Sequence, residues 1–502
     1  MEFKTNMQTI TTTVSLLDTA EEKPVDMDVV LPDYCPDVAA ILCCELIPYV
    51  TSDGWSGDTL VAEGTALVRV LYLDEDRRVV HTYEVSQAFS ASFLTEGRRG
   101  EVCSEVTATT EYVHCRAVSP RRLDIHGALC VRAEVTTAFD QTAIADTAQE
   151  NVYVKTEALA ASVPAGCAKK PFSVNETLGS ADGVSCVLRS HAVPCVTETK
   201  VLAGKIIVKG DLHVENLVLC DADSGKTEEN RFTLPFSQML DLAGVDETTA
   251  VDARVWVTAH HVRIEEDGGA KILYSNTKLM LSAQAWKTSE ASVVTDAYAT
   301  AMPVMTETVS LESRRLSEVL RDTATVSKTL DLPQGVSEIL SVWCEAQPLE
   351  IQNAESGRLL SGRLSVHLLA KDGEGQVQYF ERTADFSQPI SAVGSSEKDG
   401  MQVVSTEVFS ETEGQMTVKA TICLCRRVFE EAHVTAVCGI TGDEDAAYPA
   451  CDAAVKIVYA DEGESLWNVA KAAHTSVEAL KIENELEADV LEKRTMLLVP
   501  LT

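Results

Sequence analysis

One pattern recurs three times along the chain at an interval of about 150 residues, and it constrains the fold more than any other feature. Each copy opens with a short apolar, turn-like element: Asp37-Val38-Ala39-Ala40-Ile41-Leu42, Gly183-Val184-Ser185-Cys186-Val187-Leu188, and Gly335-Val336-Ser337-Glu338-Ile339-Leu340. A proline follows each, at Pro48, Pro194 and Pro348. Next comes a Gly-led run with alternating apolar side chains: Gly64 to Leu73 through Val68, Val70 and Tyr72, Gly204 to Val214 through Ile206 and Val208, and Gly362 to Leu369 through Leu364, Val366 and Leu368. Alternation with period two is the mark of a strand with one buried face.

A Ser-Gln pair then recurs as Ser86-Gln87, Ser237-Gln238 and Ser387-Gln388, preceded by Phe236 and Phe386 in the later copies and by Val85 in the first. Each copy closes on a further alternating strand: Leu123, Ile125, Leu129 and Val131; Val251, Ala253, Val255 and Val257; Met416, Val418, Ala420, Ile422 and Leu424. Three ordered features repeated in one sequence predict three related antiparallel β-rich modules, over 1–140, 150–285 and 325–440, with length differences absorbed in loops. The strands led by Gly64, Gly204 and Gly362 should then hold the same place in each module. Residues 286–326 show no period that names a fold, and 439–454, with Gly439, Gly442, Asp443, Glu444, Asp445 and Pro449, have the composition of a linker.

The segment 455–501 reads differently. Ile457-Val458-Tyr459 is a short strand, Asp461 to Glu464 a turn, and Ser465 a helix N-cap. Leu466, Val469, Ala470 and Ala473 then fall on one helical face. Thr475 and Glu478 have the spacing of a capping box for a second helix that turns Val477 and Leu480 inward. Met496 to Pro500 closes the unit as a strand, giving the order βααβ.

This unit resembles a LysM domain, through Gly463-Glu464-Ser465-Leu466-Trp467, Ser476-Val477-Glu478-Ala479-Leu480, Asn484 and Leu498-Val499-Pro500, with Glu492-Lys493-Arg494-Thr495 in place of the usual Gly-Gln turn. The three-module pattern, headed by Leu31-Pro32-Asp33-Tyr34-Cys35-Pro36-Asp37 in its first copy, resembles the SPOCS domain of sporulation proteins. Together they resemble the SipL-like spore-coat morphogenesis proteins: multidomain, mainly β, with three SPOCS-like modules and a small βααβ LysM-like domain. That resemblance implies a non-enzymatic adaptor in the mother-cell cytoplasm at the forespore surface, with the coat-basement sporulation ATPase as its partner and other coat proteins as further contacts. It places the partner-binding residues in two loops at one end of the helical pair: Gly463, Glu464, Ser465 and Trp467, then Ile482, Asn484 and Leu486. The other expectation attached to LysM domains is an N-acetylglucosamine-containing glycan such as peptidoglycan.

Composition narrows the alternatives. With 502 residues the chain exceeds one comfortable core, and 45% apolar with 24% charged residues suits folded modules. A net charge of −35, unbroken by a long Lys/Arg run, speaks against nucleic acid as a partner. No secretory signal is read at Met1-Glu2-Phe3-Lys4-Thr5, and no run of 18 apolar residues predicts a membrane span. The 15 cysteines are spread through a chain expected in a reducing cytosol, so thiols are expected, most of them packed as small hydrophobes, with oxidative cross-linking at a later stage still open to them.

No catalytic constellation or cofactor is implied. The acidic pairs Asp74 with Asp76 and Glu265 with Glu266 read as solvated surface in so acidic a chain. His260-His261, side by side on an alternating strand, should point to opposite faces and so not share a metal.

Overall fold

The computed structural model describes residues 3–95, 102–221, 223–347, 350–354, 357–390, 396–412, 414–449 and 455–500. They form a mainly β molecule built from antiparallel sheets. The first module comprises β1 (Thr5–Val30), β2 (Ala40–Ser56), β3 (Thr59–Leu73), β4 (Val80–Leu94), β5 (Val102–Ser119) and β6 (Arg122–Thr147). Its inner strands form a meander, β2-β3-β4, and its outer strands a second sheet, β1-β6-β5. The second module repeats this with β7 (Val152–Ser180), β8 (Cys186–Leu202), β9 (Lys205–Asp221), β10 (Lys226–Asp241), β11 (Ala250–Asp267) and β12 (Ala270–Ala299), ordered β8-β9-β10 and β7-β12-β11.

In the third module the first meander strand is split into β14 (Val336–Ala346) and β15 (Glu350–Ala354), which both pair with β16 (Gly357–Asp372), itself paired with β17 (Val377–Ile390). Pro348 falls in that split, outside the described residues. The second sheet is β13-β19-β18, from β13 (Val304–Asp331), β18 (Ser396–Thr412) and β19 (Gln415–Gly442). The strand order is the same three times. Each module packs its two sheets over one apolar core, filled in the first by Val68, Val70 and Tyr72 of β3 against Leu123, Ile125, Leu129 and Val131 of β6.

The register corrects three details of the repeat read from sequence. Gly64 and Gly362 lie inside β3 and β16, but Gly204 sits in the turn before β9, and the residue that matches them is Gly210. Gly64 pairs with Phe89, Gly210 with Phe236 and Gly362 with Phe386. At Gly64 and Gly210 an added Cβ would run into the phenylalanine ring that lies across the glycine. Phe89 and Ser90, not Ser86 and Gln87, are therefore the counterparts of Phe236 with Ser237 and Phe386 with Ser387. The closing strand of the second module is likewise β12, with Leu279, Leu281 and Ala283 fully buried, while Val251 to Val257 belong to β11. Of the stretch that showed no usable period, 286–299 complete β12 and 304–326 form most of β13.

The modules close around a pseudo-threefold axis. Each first meander strand carries a bulge at the same place, at Leu42, Leu188 and Leu340. These three leucines meet in one cluster with Leu71, Leu217 and Leu369. Beside it, Glu45 of the first module pairs with Arg189 of the second, whose guanidinium lies 4.5 Å over the Trp343 ring of the third. Further along, the long outer strands project past the sandwiches in pairs, and Ile10, Leu159 and Leu311 share a core with Ala143, Val293 and Ala436. Cys195 of β8 and Cys423 of β19 are joined as a disulfide between the second and third modules, so this pair departs from the thiol state expected of most cysteines. The two lie 228 positions apart, and only the docking of modules brings them together.

The C-terminal segment contains β20 (Val455–Ala460), α1 (Leu466–Ala473), α2 (Val477–Asn484) and β21 (Thr495–Pro500). β20 and β21 pair antiparallel from Val455 with Pro500 to Ala460 with Thr495. Among the described residues no helix is long and apolar enough to cross a membrane.

Candidate functional site

The C-terminal unit is assembled by local rules. Ser465 caps α1, its hydroxyl accepting from the Asn468 N–H, and Leu466, Val469, Ala470 and Ala473 are the buried face. α2 is capped by Ser476, which accepts from Ala479 N–H, and not by Thr475. Thr475 is instead buried, its hydroxyl donating to the Pro500 carbonyl at 3.0 Å. A β-branched residue held against the closing strand leaves the capping role to the next hydroxyl. Both helices end in residues with positive φ, His474 and Glu485, and Gly463 makes the turn before α1 at φ 81°.

The seven residues singled out from the sequence separate into distinct roles. Asn484 ties α2 to β21: its amide donates to the Leu480 and Leu498 carbonyls at 2.9 and 2.7 Å, and its oxygen accepts from Leu498 N–H at 2.7 Å. Leu486 packs half-buried on the unit's core. Glu464 accepts from Asp461 N–H at 3.0 Å and shapes the turn that Gly463 begins. Ser465 is the cap already described. Ile482 is 80% exposed, with exposed Glu483, Glu485 and Glu487 beside it.

Trp467 faces the second module. Its Nε1 donates to Asp296 Oδ2 at 2.8 Å, and its ring meets Tyr298 edge-on with centroids 4.9 Å apart. Lys471, one turn on, donates to both Asp296 oxygens at 2.7 and 2.9 Å. Burial works against the Asp296 charge, but Lys471 and Trp467 outweigh it and hold the carboxyl below its ordinary pKa. Tyr298 is 3% exposed, donates to the Thr475 carbonyl at 2.8 Å and stacks on Tyr153. Asp296 and Tyr298 had no signal in the sequence, since only the folded chain brings them to Trp467.

A second feature is the outward face of the small sheet. Val455, Ile457 and Tyr459 alternate on β20, and Tyr459 is paired with Met496. All four are more than two-fifths exposed. Of the 16 large apolar side chains exposed in the described residues, six lie in this small unit: these four, Ile482 and Val490. Such a concentration makes this face a candidate contact surface. The alternation with buried Ala460 and half-buried Val458, apolar on both faces, was the readable signal.

The other candidates have structural surroundings. His260 is buried, bonded to Ser190 Oγ at 2.6 Å and Thr277 Oγ1 at 2.8 Å, while His261 is exposed on the opposite face. Asp74 bonds His81 at 3.1 Å, and Glu265 bonds Arg263 at 2.5 Å. Among the described residues no group of three His, Cys, Asp or Glu side chains is placed to hold a metal ion.

Residues 184–265, from the start of β8 through most of β11, match the family described as SipL, SPOCS domain. The match supports a SipL-like protein and a sporulation-related role. No curated protein and no solved structure matches the chain.

Proposed function

We propose that the protein is a non-enzymatic adaptor of spore-coat assembly, which binds the coat-basement sporulation ATPase at the mother-cell side of the forespore surface. The observation that carries this reading is the SPOCS match within the second of three modules that share one strand order. The C-terminal unit, read as a LysM-like domain, supplies the partner contact. Its apolar face, Val455, Ile457, Tyr459 and Met496, and the exposed Ile482 offer a protein surface the aliphatic and aromatic anchors that dominate interface energetics. The closed ring of modules is the scaffold, and several weak contacts to a polymerised partner would add through effective concentration.

The test is to capture the purified full chain in parallel on the immobilised coat ATPase and on purified peptidoglycan. Binding to the ATPase is expected. Retention on peptidoglycan without binding to the ATPase would replace this reading with that of a cell-wall glycan-binding protein.

A further inference from the structure

The seat that holds the C-terminal unit is built once, although the fold offers three equivalent places for it. A bulge recurs near the end of each sixth strand, at Ala145, Thr295 and Cys438. The residue after the bulge is Asp146, Asp296 and Gly439, and two positions further on stand Ala148, Tyr298 and Thr441. The second module therefore joins a carboxylate to an aromatic side chain there. The first has the carboxylate with alanine, and the third has neither. The unit follows the third module in the chain yet docks on the second. The described part of its connector, 443–449, is laid along the junction of those two modules, with Asp443 N–H donating to the Pro303 carbonyl at 3.1 Å and Tyr448 N–H to the Ala301 carbonyl at 2.9 Å. Tyr448 then stacks on His474, centroids 3.7 Å apart, where α1 ends.

What the seat covers is the Trp467 side of the unit. A tryptophan at a loop–helix junction, with its N–H and ring edge free, is an effective anchor for a partner. Here both are engaged from within the same chain. We propose that this contact is autoinhibitory: Asp296 and Tyr298 latch the C-terminal unit in a closed position that masks Trp467, and release of the latch makes that side available to the partner. This rests on the reading above, that the unit is what meets the coat ATPase. If the open form is a minority, the apparent affinity of a partner that needs Trp467 is reduced by that fraction, and breaking the latch restores it.

The latch can be tested without a partner. In the full chain, Asp296→Ala removes the acceptor of both Trp467 and Lys471, and Tyr298→Phe removes the bond to Thr475 without changing the packed ring. Asp146→Ala changes the equivalent position of the first module, whose carboxylate accepts from the neighbouring Thr147 N–H. Amide hydrogen exchange across 466–475 is expected to rise about tenfold in Asp296→Ala, which loses charge-assisted bonds, about fivefold in Tyr298→Phe, which loses one neutral bond, and to stay unchanged in the third. Capture on the immobilised coat ATPase should then tighten by about three- to tenfold in the two latch variants alone. Unchanged exchange in both latch variants would overturn the latch. Faster exchange with equal or weaker capture would overturn its inhibitory role. Faster exchange with no capture by any form, the wild type included, would leave the latch in place and overturn the choice of the ATPase as partner.

Discussion

Arg189 of the second module donates its Nε to Glu45 Oε1 of the first at 2.6 Å, with each side chain only 8% exposed. The other Glu45 oxygen accepts from Arg69 at 2.8 Å, and Arg69 donates onward to the Ser190 carbonyl at 2.9 Å. The seam between these modules is thus charged, desolvated and nearly saturated. Removing one partner leaves an uncompensated buried charge, so Glu45→Ala should destabilise the chain by about 3–5 kcal/mol. A urea titration followed by circular dichroism measures it. The double variant Glu45→Leu with Arg189→Met should cost less than Glu45→Ala, because it removes Arg189 together with the charge it pairs with, while Arg69 keeps Glu84 as a partner.

Acid should weaken the fold in two windows. Burial depresses the His260 pKa from 6.5 to about 3, so the folded chain keeps this ring neutral while the unfolded chain takes up a proton. Its contribution is complete above pH 6.5 and is lost as the pH falls toward 3. Glu45 acts lower: burial raises its pKa, but Arg189 and Arg69 outweigh burial and bring it to about 2, so its contribution fades between 4.5 and 2. His260→Gln should flatten the dependence of the melting temperature on pH between 6.5 and 4 and leave the steeper loss below 4 intact. Equal slopes for wild type and variant in the upper window would exclude His260 as its source.

The glycines under phenylalanine rings should resist even the smallest substitution. Gly64→Ala or Gly210→Ala drives a methyl against the ring of Phe89 or Phe236 and against the backbone carbonyl of Tyr49 or Cys195, at a cost of about 1–3 kcal/mol. Pairing Gly64→Ala with Phe89→Leu should recover part of that loss, as thermal denaturation of the single and double variants would show. Gly204→Ala is destabilising for another reason, its φ of +73°, and Phe236→Leu should not rescue it.

Exposed apolar residues in the C-terminal unit should separate binding from folding. Tyr459→Ser and Ile482→Asp alter side chains 66% and 80% exposed, so the melting temperature should move little. Loss of an interface anchor costs about 2 kcal/mol, or roughly thirtyfold in affinity for the coat ATPase. Unaltered capture by both variants would remove this face from the proposed contact.

Much of the architecture was legible because alternation is local. The runs through β3, β6, β16 and β19 show one buried face in the sequence itself, as do the four buried positions of α1. Register was not, because it depends on the neighbouring strand. Gly204 and Gly210 both precede or interrupt an alternating run, and only the pairing of Gly210 with Phe236 shows which one matches Gly64. β11 and β12 alternate alike, so no period tells which is the central strand of its sheet. At the candidate site, the caps and helix faces were readable to within one residue. The partners of Trp467 were not, since Asp296 lies 171 positions upstream.

The shared core of Ile10, Leu159 and Leu311 fixes how many copies of the module the chain can carry. In an open row of repeats, each copy touches only its neighbours, and lineages can gain or lose copies at little cost. Here every copy contributes one wall to a closed arrangement, and the first and third are joined directly, through Phe3 N–H and the Ile440 carbonyl. Deleting one copy would open the ring and expose all three walls to water, and a fourth would have no place on the axis. Duplication could have produced this chain, but further duplication could not extend it, so change must come by divergence at equivalent positions.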